Sequence, residues 1–178
     1  MNTATSNRSG NAIKMMVTQA LMIALTLVAT AFINIRLPLM GSGGLIHLGN
    51  VPVFLAAIIF GRKTGAIAGA FGMGLFDLLS GWAAWAPFTF VIVGAMGYVV
   101  GMTREKLKMK PFFADALGIL FALILKITGY YFAEVILYHN WVLPFGSIPG
   151  NVAQIVVAAV IVLPIAEELK KIVHKIGG

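Results

Sequence analysis

The sequence predicts an all-α integral membrane protein with six transmembrane helices and both termini in the cytoplasm. Three observations carry this reading. Hydrophobic residues make up 60% of the chain and charged residues only 11%, a balance that no soluble domain of this length needs. Apolar runs recur from Ala12 almost to the C-terminus. The basic residues fall between alternate runs, which is the signature of loops retained on the cytoplasmic side. A chain of 178 residues has room for about six spans of roughly 20 residues with short connections. We therefore read 1–178 as a single membrane domain, with spans at 12–33, 46–60, 64–80, 86–102, 112–137 and 149–169. All are expected to be helical, because an open strand cannot satisfy its backbone in hydrocarbon and no ten-residue alternation suggests a barrel.

The first span begins after Arg8 and at Lys14, and carries the alanines of "ALMIA" (20–24). It lacks a small-x-small cleavage site, so it reads as a retained helix rather than a signal peptide. The loop "RLPLMGSGG" follows, and its Gly41, Gly43 and Gly44 give it the freedom of a gate. Spans two and three are short and joined by a tight turn bearing Arg62 and Lys63, so they read as a hairpin. Asn50 is a candidate cap that would leave Pro52 in the first turn of span two. Span three carries Gly65 and Gly69, and also Ala66, Ala70 and Gly74. Span four opens on Pro87 and carries Gly97 and Gly101. Small residues four apart share a face and let two helix backbones approach. "TREKLKMK" follows span four, and Lys170, Lys171 and Lys175 follow span six, within which Pro164 is expected to kink the helix.

The thirteen Lys and Arg outnumber the six Asp and Glu, but their placement in alternate loops answers to the bilayer and not to nucleic acid. There is no cysteine, which removes thiolate metal, disulfide and redox chemistry. "FGRKTG" (60–65) lacks the residue order of a phosphate-binding loop. Leu78 stands where an intramembrane serine protease motif around Ser80-Gly81 needs glycine. His47, His139 and His174 are scattered, so neither a metal site nor a Ser/His pair is predicted, and the chain is read as no enzyme.

Polar residues inside the spans are the exceptions that demand a reason, since a charge at mid-bilayer costs on the order of 2.5–3.5 kcal/mol even on a lenient scale. Asp77 lies about one turn from the outer end of span three. Lys126, Tyr130 and Glu134 recur every fourth residue along span five and so form one stripe. Lys126 and Glu134 are about 12 Å apart along the axis, too far to pair with each other. Asn151 and Gln154 bring amides at the outer start of span six. Trp82, Trp85 and Trp141 belong to the same side, where an interfacial aromatic belt is the simpler account of any one of them. Together Asp77, Trp82, Trp85, Lys126, Tyr130, Glu134, Asn151 and Gln154 describe a pocket for a small, polar, flat ligand.

With these residues in view, the chain resembles the substrate-binding S components of energy-coupling factor (ECF) vitamin transporters. The resemblance covers nearly the whole chain. It rests on six spans, the alanine notch, the long glycine-rich first external loop, and above all "GLIHLGNVPVFLAAIIFGRKTGAIAGAFGMGLFDLLSGWAAWAPFTFVIVGAMGYVVG" (44–101). It implies that Ala20 and Ala24 dock on a transmembrane T component driven by two cytoplasmic ABC-type ATPases. Met16, one turn earlier, interrupts the small-residue face. ATP would then be used by the partners, and this chain would bind no cofactor. The vitamin would be captured from outside the plasma membrane and released inward after the S component topples on its partner. The chain looks most like the hydroxymethylpyrimidine branch, with pyridoxine close behind; pantothenate and riboflavin stay open. A solitary proton-coupled carrier using Asp77 or Glu134 is the alternative from another class.

Overall fold

The computed structural model describes residues 3–36 and 45–177; the predicted gate residues Gly41, Gly43 and Gly44 lie outside them. The described chain forms helices α1 (Thr3–Phe32), α2 (Asn50–Phe60), α3 (Arg62–Leu79), α4 (Ala86–Lys106), α5 (Pro111–Tyr138) and α6 (Ile148–Gly177), with strands β1 (Asn34–Arg36) and β2 (Leu45–His47) and a short 3-10 turn at Leu143–Ser147. Among the described residues, segments Gly10–Phe32, Ala86–Lys106, Pro111–Tyr138 and Leu143–Ile176 are long and apolar enough to cross a membrane.

Two expectations are corrected. The segment is not helical throughout: β1 and β2 pair antiparallel, with Asn34 opposite His47 and Ile35 opposite Ile46. They sit beyond the end of α1 and before α2, where a ladder can satisfy the backbone outside the apolar helices. The predicted second span accordingly shortens from 46–60 to Asn50–Phe60, about 16 Å of helix at 1.5 Å per residue. Asn50 does not cap it. The residue before the helix is Gly49, without a side-chain cap, and Asn50 instead directs its Nδ2 at Gln154 Oε1, 3.5 Å away. Pro52 still lies in the first turn, where its missing N–H costs little.

The short helix is the centre of the bundle. α2 contacts α1, α3, α4 and α6, and Val53, Phe54, Ala56 and Ala57 are fully buried. A helix apolar on every side is stable only when wrapped on every side. Its C-terminal carbonyls need a partner, and Lys170 of α6 donates to Ile58 O at 3.0 Å. A cation there also opposes the negative end of the helix dipole.

α3 and α4 pack at backbone distance. A β-carbon on Gly65 would come within 2.9 Å of Gly97 O, and one on Gly69 within 2.6 Å of Val93 O. The small residues thus serve this seam, and α6 continues through Pro164.

At the end carrying the basic loops, Arg104 of α4 reaches Asp115 of α5 at 3.2 Å and also pairs with Glu167 of α6. Both Arg104 and Asp115 are nearly buried. Removing one partner from such a pair strands the other charge, so Arg104→Met is expected to cost about 3 kcal/mol. Thermal unfolding in detergent checks this, with exposed Lys171→Met, whose partner is Glu168, expected to change little.

Candidate functional site

The cavity lies at the opposite end of the bundle, and the local chain shows how its walls are placed. After α3, Gly81 adopts φ 88°, a left-handed turn that glycine enters without strain. Trp82 N–H then donates to Asp77 O at 3.0 Å and Trp85 N–H to Trp82 O at 2.9 Å, which folds both indoles back over the helix end. Their rings meet edge to face at 5.3 Å, and Trp85 meets Tyr138 at 5.7 Å. Edge-to-face contacts of this kind fix ring orientation. From the far side, Asn140 Oδ1 accepts the N–H groups of Val142 and Leu143 at 2.8 and 2.9 Å, starting the 3-10 turn that leads into α6.

All of the predicted ligand residues, Asp77, Trp82, Trp85, Lys126, Tyr130, Glu134, Asn151 and Gln154, line one cavity of about 100 Å³. The predicted stripe on α5 therefore faces inward as a unit. Lys126 is 2% exposed, and Glu134 and Gln154 are each 6% exposed, so these groups are removed from water and must be answered by one another or by a ligand. Lys126 Nζ donates to Gln154 Oε1 at 2.9 Å and stands 5.6 Å from the centre of the Tyr130 ring. Tyr130 OH and Thr89 Oγ1 are 3.0 Å apart. Asp115, the other acidic residue of α5, is held by Arg104 at the opposite end of the helix.

Other predicted positions lie apart. Trp141 is exposed, and its carbonyl accepts the Tyr131 hydroxyl at 2.8 Å. Ala20 and Ala24 are exposed on α1, amid Met16, Val17, Leu21 and Leu25, all at least half exposed.

The comparisons bear on this arrangement. The family model described as ECF-type riboflavin transporter, S component, matches residues 10–171. The chain belongs to this family of ECF-type S components. The thiamine precursor transporter HmpT of Lactococcus lactis subsp. cremoris (strain MG1363) is 28% identical over 166 residues, covering 93% of this chain and 90% of that protein. An uncharacterised protein of Pyrococcus woesei is 32% identical over 104 residues, 58% of this chain and 68% of that protein. In fold, the chain is similar to the solved S component of a bacterial ECF transporter, with a TM-score of 0.71 at 21% identity, covering 91% of this chain and 98% of that one.

Seven further residues line the cavity of this S component. Thr30, His47, Met73, Phe76, Thr89, Ser147 and Gly150 share the cavity wall. Threonine and serine in a span carry no charge and so raise no alarm in a sequence, and a lone histidine has no partner that spacing along the chain can name. His47 lies on β2, outside the helices. Loss of hydration, reinforced by the Lys126 charge, pushes its imidazole down to about 3. The ring is therefore neutral, and its Nδ1 accepts the Gly49 N–H at 3.2 Å. The proton accordingly sits on Nε2, which leaves the ring as a donor.

Among the described residues, no group of three His, Cys, Asp or Glu is placed to hold a metal ion. What the cavity offers is hydrogen bonding, one ammonium, two carboxylates and aromatic faces. These groups bind and orient.

Proposed function

We propose that this S component captures a small heteroaromatic vitamin from outside the cell, with hydroxymethylpyrimidine, a thiamine precursor, as the best candidate and pyridoxine next. The observation that carries the reading is the convergence of charged, amide and indole groups from α3, the turn between α3 and α4, α5 and α6 on one cavity at the end away from the basic loops. The thiamine precursor transporter relative supports the choice of vitamin. The family model carries a riboflavin description, which makes riboflavin the second reading.

The reading extends to the membrane and the partners. The six helices form one domain in the plasma membrane, with both termini cytoplasmic, because the basic loops alternate with the cavity end. Capture needs no ATPase in this chain. A T component with two ABC-type ATPases supplies the energy by using ATP, the exposed alanines at 20 and 24 dock on it, and the cargo leaves inward. The loop with Gly41, Gly43 and Gly44 gates the cavity.

Tryptophan fluorescence of the purified chain, titrated with hydroxymethylpyrimidine, pyridoxine, pantothenate and riboflavin, tests this directly because Trp82 and Trp85 are in the wall. Saturable quenching by one of the single-ring compounds is expected. Asp77→Asn and Lys126→Met are each expected to weaken it about 10- to 100-fold, the worth of a hydrogen bond to a charged group. Folded protein that binds none of the four overturns the proposal, and a preference for riboflavin moves it to the second reading.

A further inference from the structure

Glu134 is only half answered within the described wall, where Ser147 offers its carboxyl group one side-chain hydrogen bond. It is 6% exposed, and its Oε2 is buried with no hydrogen-bond partner among the described residues. No lysine, arginine or histidine among them lies within ion-pair distance of it. A buried carboxylate oxygen in this condition is expensive, since an ionised carboxyl group only accepts hydrogen bonds and needs donors in place of water.

The other charges in the wall are already answered. Lys126 donates to Gln154 and is attracted by Asp77, while His47 is neutral. At formal charges, Asp77 and Glu134 against Lys126 leave the lining with one excess negative charge. A ligand carboxylate would add a second negative charge to a site withdrawn from water, which costs far more there than in solution.

Resting on the vitamin-capture reading above, we infer that Glu134 is the specificity-determining residue of the cavity, and that it selects a protonatable heteroaromatic ring bearing an exocyclic amine whose N–H is donated to Glu134 Oε2. A ligand hydroxyl meets the need for a donor but brings no charge. An amine conjugated to a ring nitrogen meets both needs, because the ring nitrogen takes up a proton and the positive charge spreads onto the N–H bonds. The Trp82 and Trp85 indoles are placed to bound such a flat ring, and a cationic ring gains from an aromatic face.

The test compares two ligands that differ only at the amine: 4-amino-5-hydroxymethyl-2-methylpyrimidine and the same pyrimidine with hydrogen in place of the amino group. Both are titrated by calorimetry into the full chain in nanodiscs, beside pantothenate as the anionic probe and with Glu134→Gln as the variant. The wild type is expected to prefer the amine by about 10- to 150-fold, the range for a charge-assisted hydrogen bond, and to bind pantothenate not at all. In Glu134→Gln the preference is expected to fall to within a few-fold. Because the ratio is read within one protein sample, general damage to the variant cannot mimic that result.

Equal binding of the two pyrimidines by the wild type, or a preference that survives Glu134→Gln, would overturn the role of Glu134 while leaving vitamin capture standing. Tight binding of pantothenate would overturn it through the charge argument. Failure of folded wild type to bind any of the three would sink both this inference and the proposed vitamin.

Discussion

Gly97→Leu is expected to yield no folded, monodisperse protein. Even a single β-carbon at Gly97 would stand 2.9 Å from Ala66 N and closer still to the carbonyl of Gly65. Those atoms are backbone within a helix and cannot rotate aside as a flexible side chain can. The reciprocal face is as tight, since a β-carbon on Gly65 would lie 2.7 Å from Ala57 Cα. Moving α3 away from α4 would therefore also disturb α2 at the centre. Overpacking a core costs about 1–3 kcal/mol where side chains can adjust, and a branched side chain facing rigid backbone should exceed that range. Gly97→Ala should give protein of lowered melting temperature, Gly97→Leu a loss of the included peak in size-exclusion chromatography. Gly10→Ala, whose added carbon meets nothing within 4 Å, should behave as wild type. A normal peak for Gly97→Leu would mean that the α3–α4 seam is looser than described.

Replacing Ala20 and Ala24 together by tryptophan is expected to abolish vitamin uptake while leaving binding to the purified chain unchanged. Both positions are exposed on α1, and no cavity residue lies near them in sequence except Thr30, more than a turn beyond Ala24. A surface that merely faces lipid tolerates tryptophan, because acyl chains rearrange around it. A surface that receives a partner helix does not, since small residues there set the distance of approach. Uptake in cells that also make the T component and ATPases separates these cases. Uptake at the wild-type rate would assign Ala20 and Ala24 to lipid contact and require another docking surface.

How much of this was legible in the sequence follows from what each feature costs. Lys126, Tyr130 and Glu134 stood out because ionisable groups within an apolar helix need a physical reason, and their spacing of four gave them a common face. Asn151 and Gln154 stood out on the next helix for the same reason. The structure brings all of them into one wall with Asp77 and the two tryptophans. The extent of α2 was not legible. The run from Ile46 is apolar enough to read as continuous helix, yet its first part pairs with Asn34–Arg36, and a three-residue strand is too short to show an alternating pattern. The Asn50–Gln154 contact joins residues 104 apart and leaves no local trace at all. It diverts an asparagine that local rules assign to a helix cap. For Asp115, composition cannot say which basic residue the fold will deliver; Arg104 arrives from the end of α4.

The close approach of α3 and α4 also bears on how a ligand travels. Where Gly65 faces Gly97 and Gly69 faces Val93, the two backbones leave no gap for a molecule dissolved among the acyl chains to slip sideways between them. Along that seam the bilayer is a wall rather than a reservoir. Compounds that concentrate in lipid thus gain no short cut there.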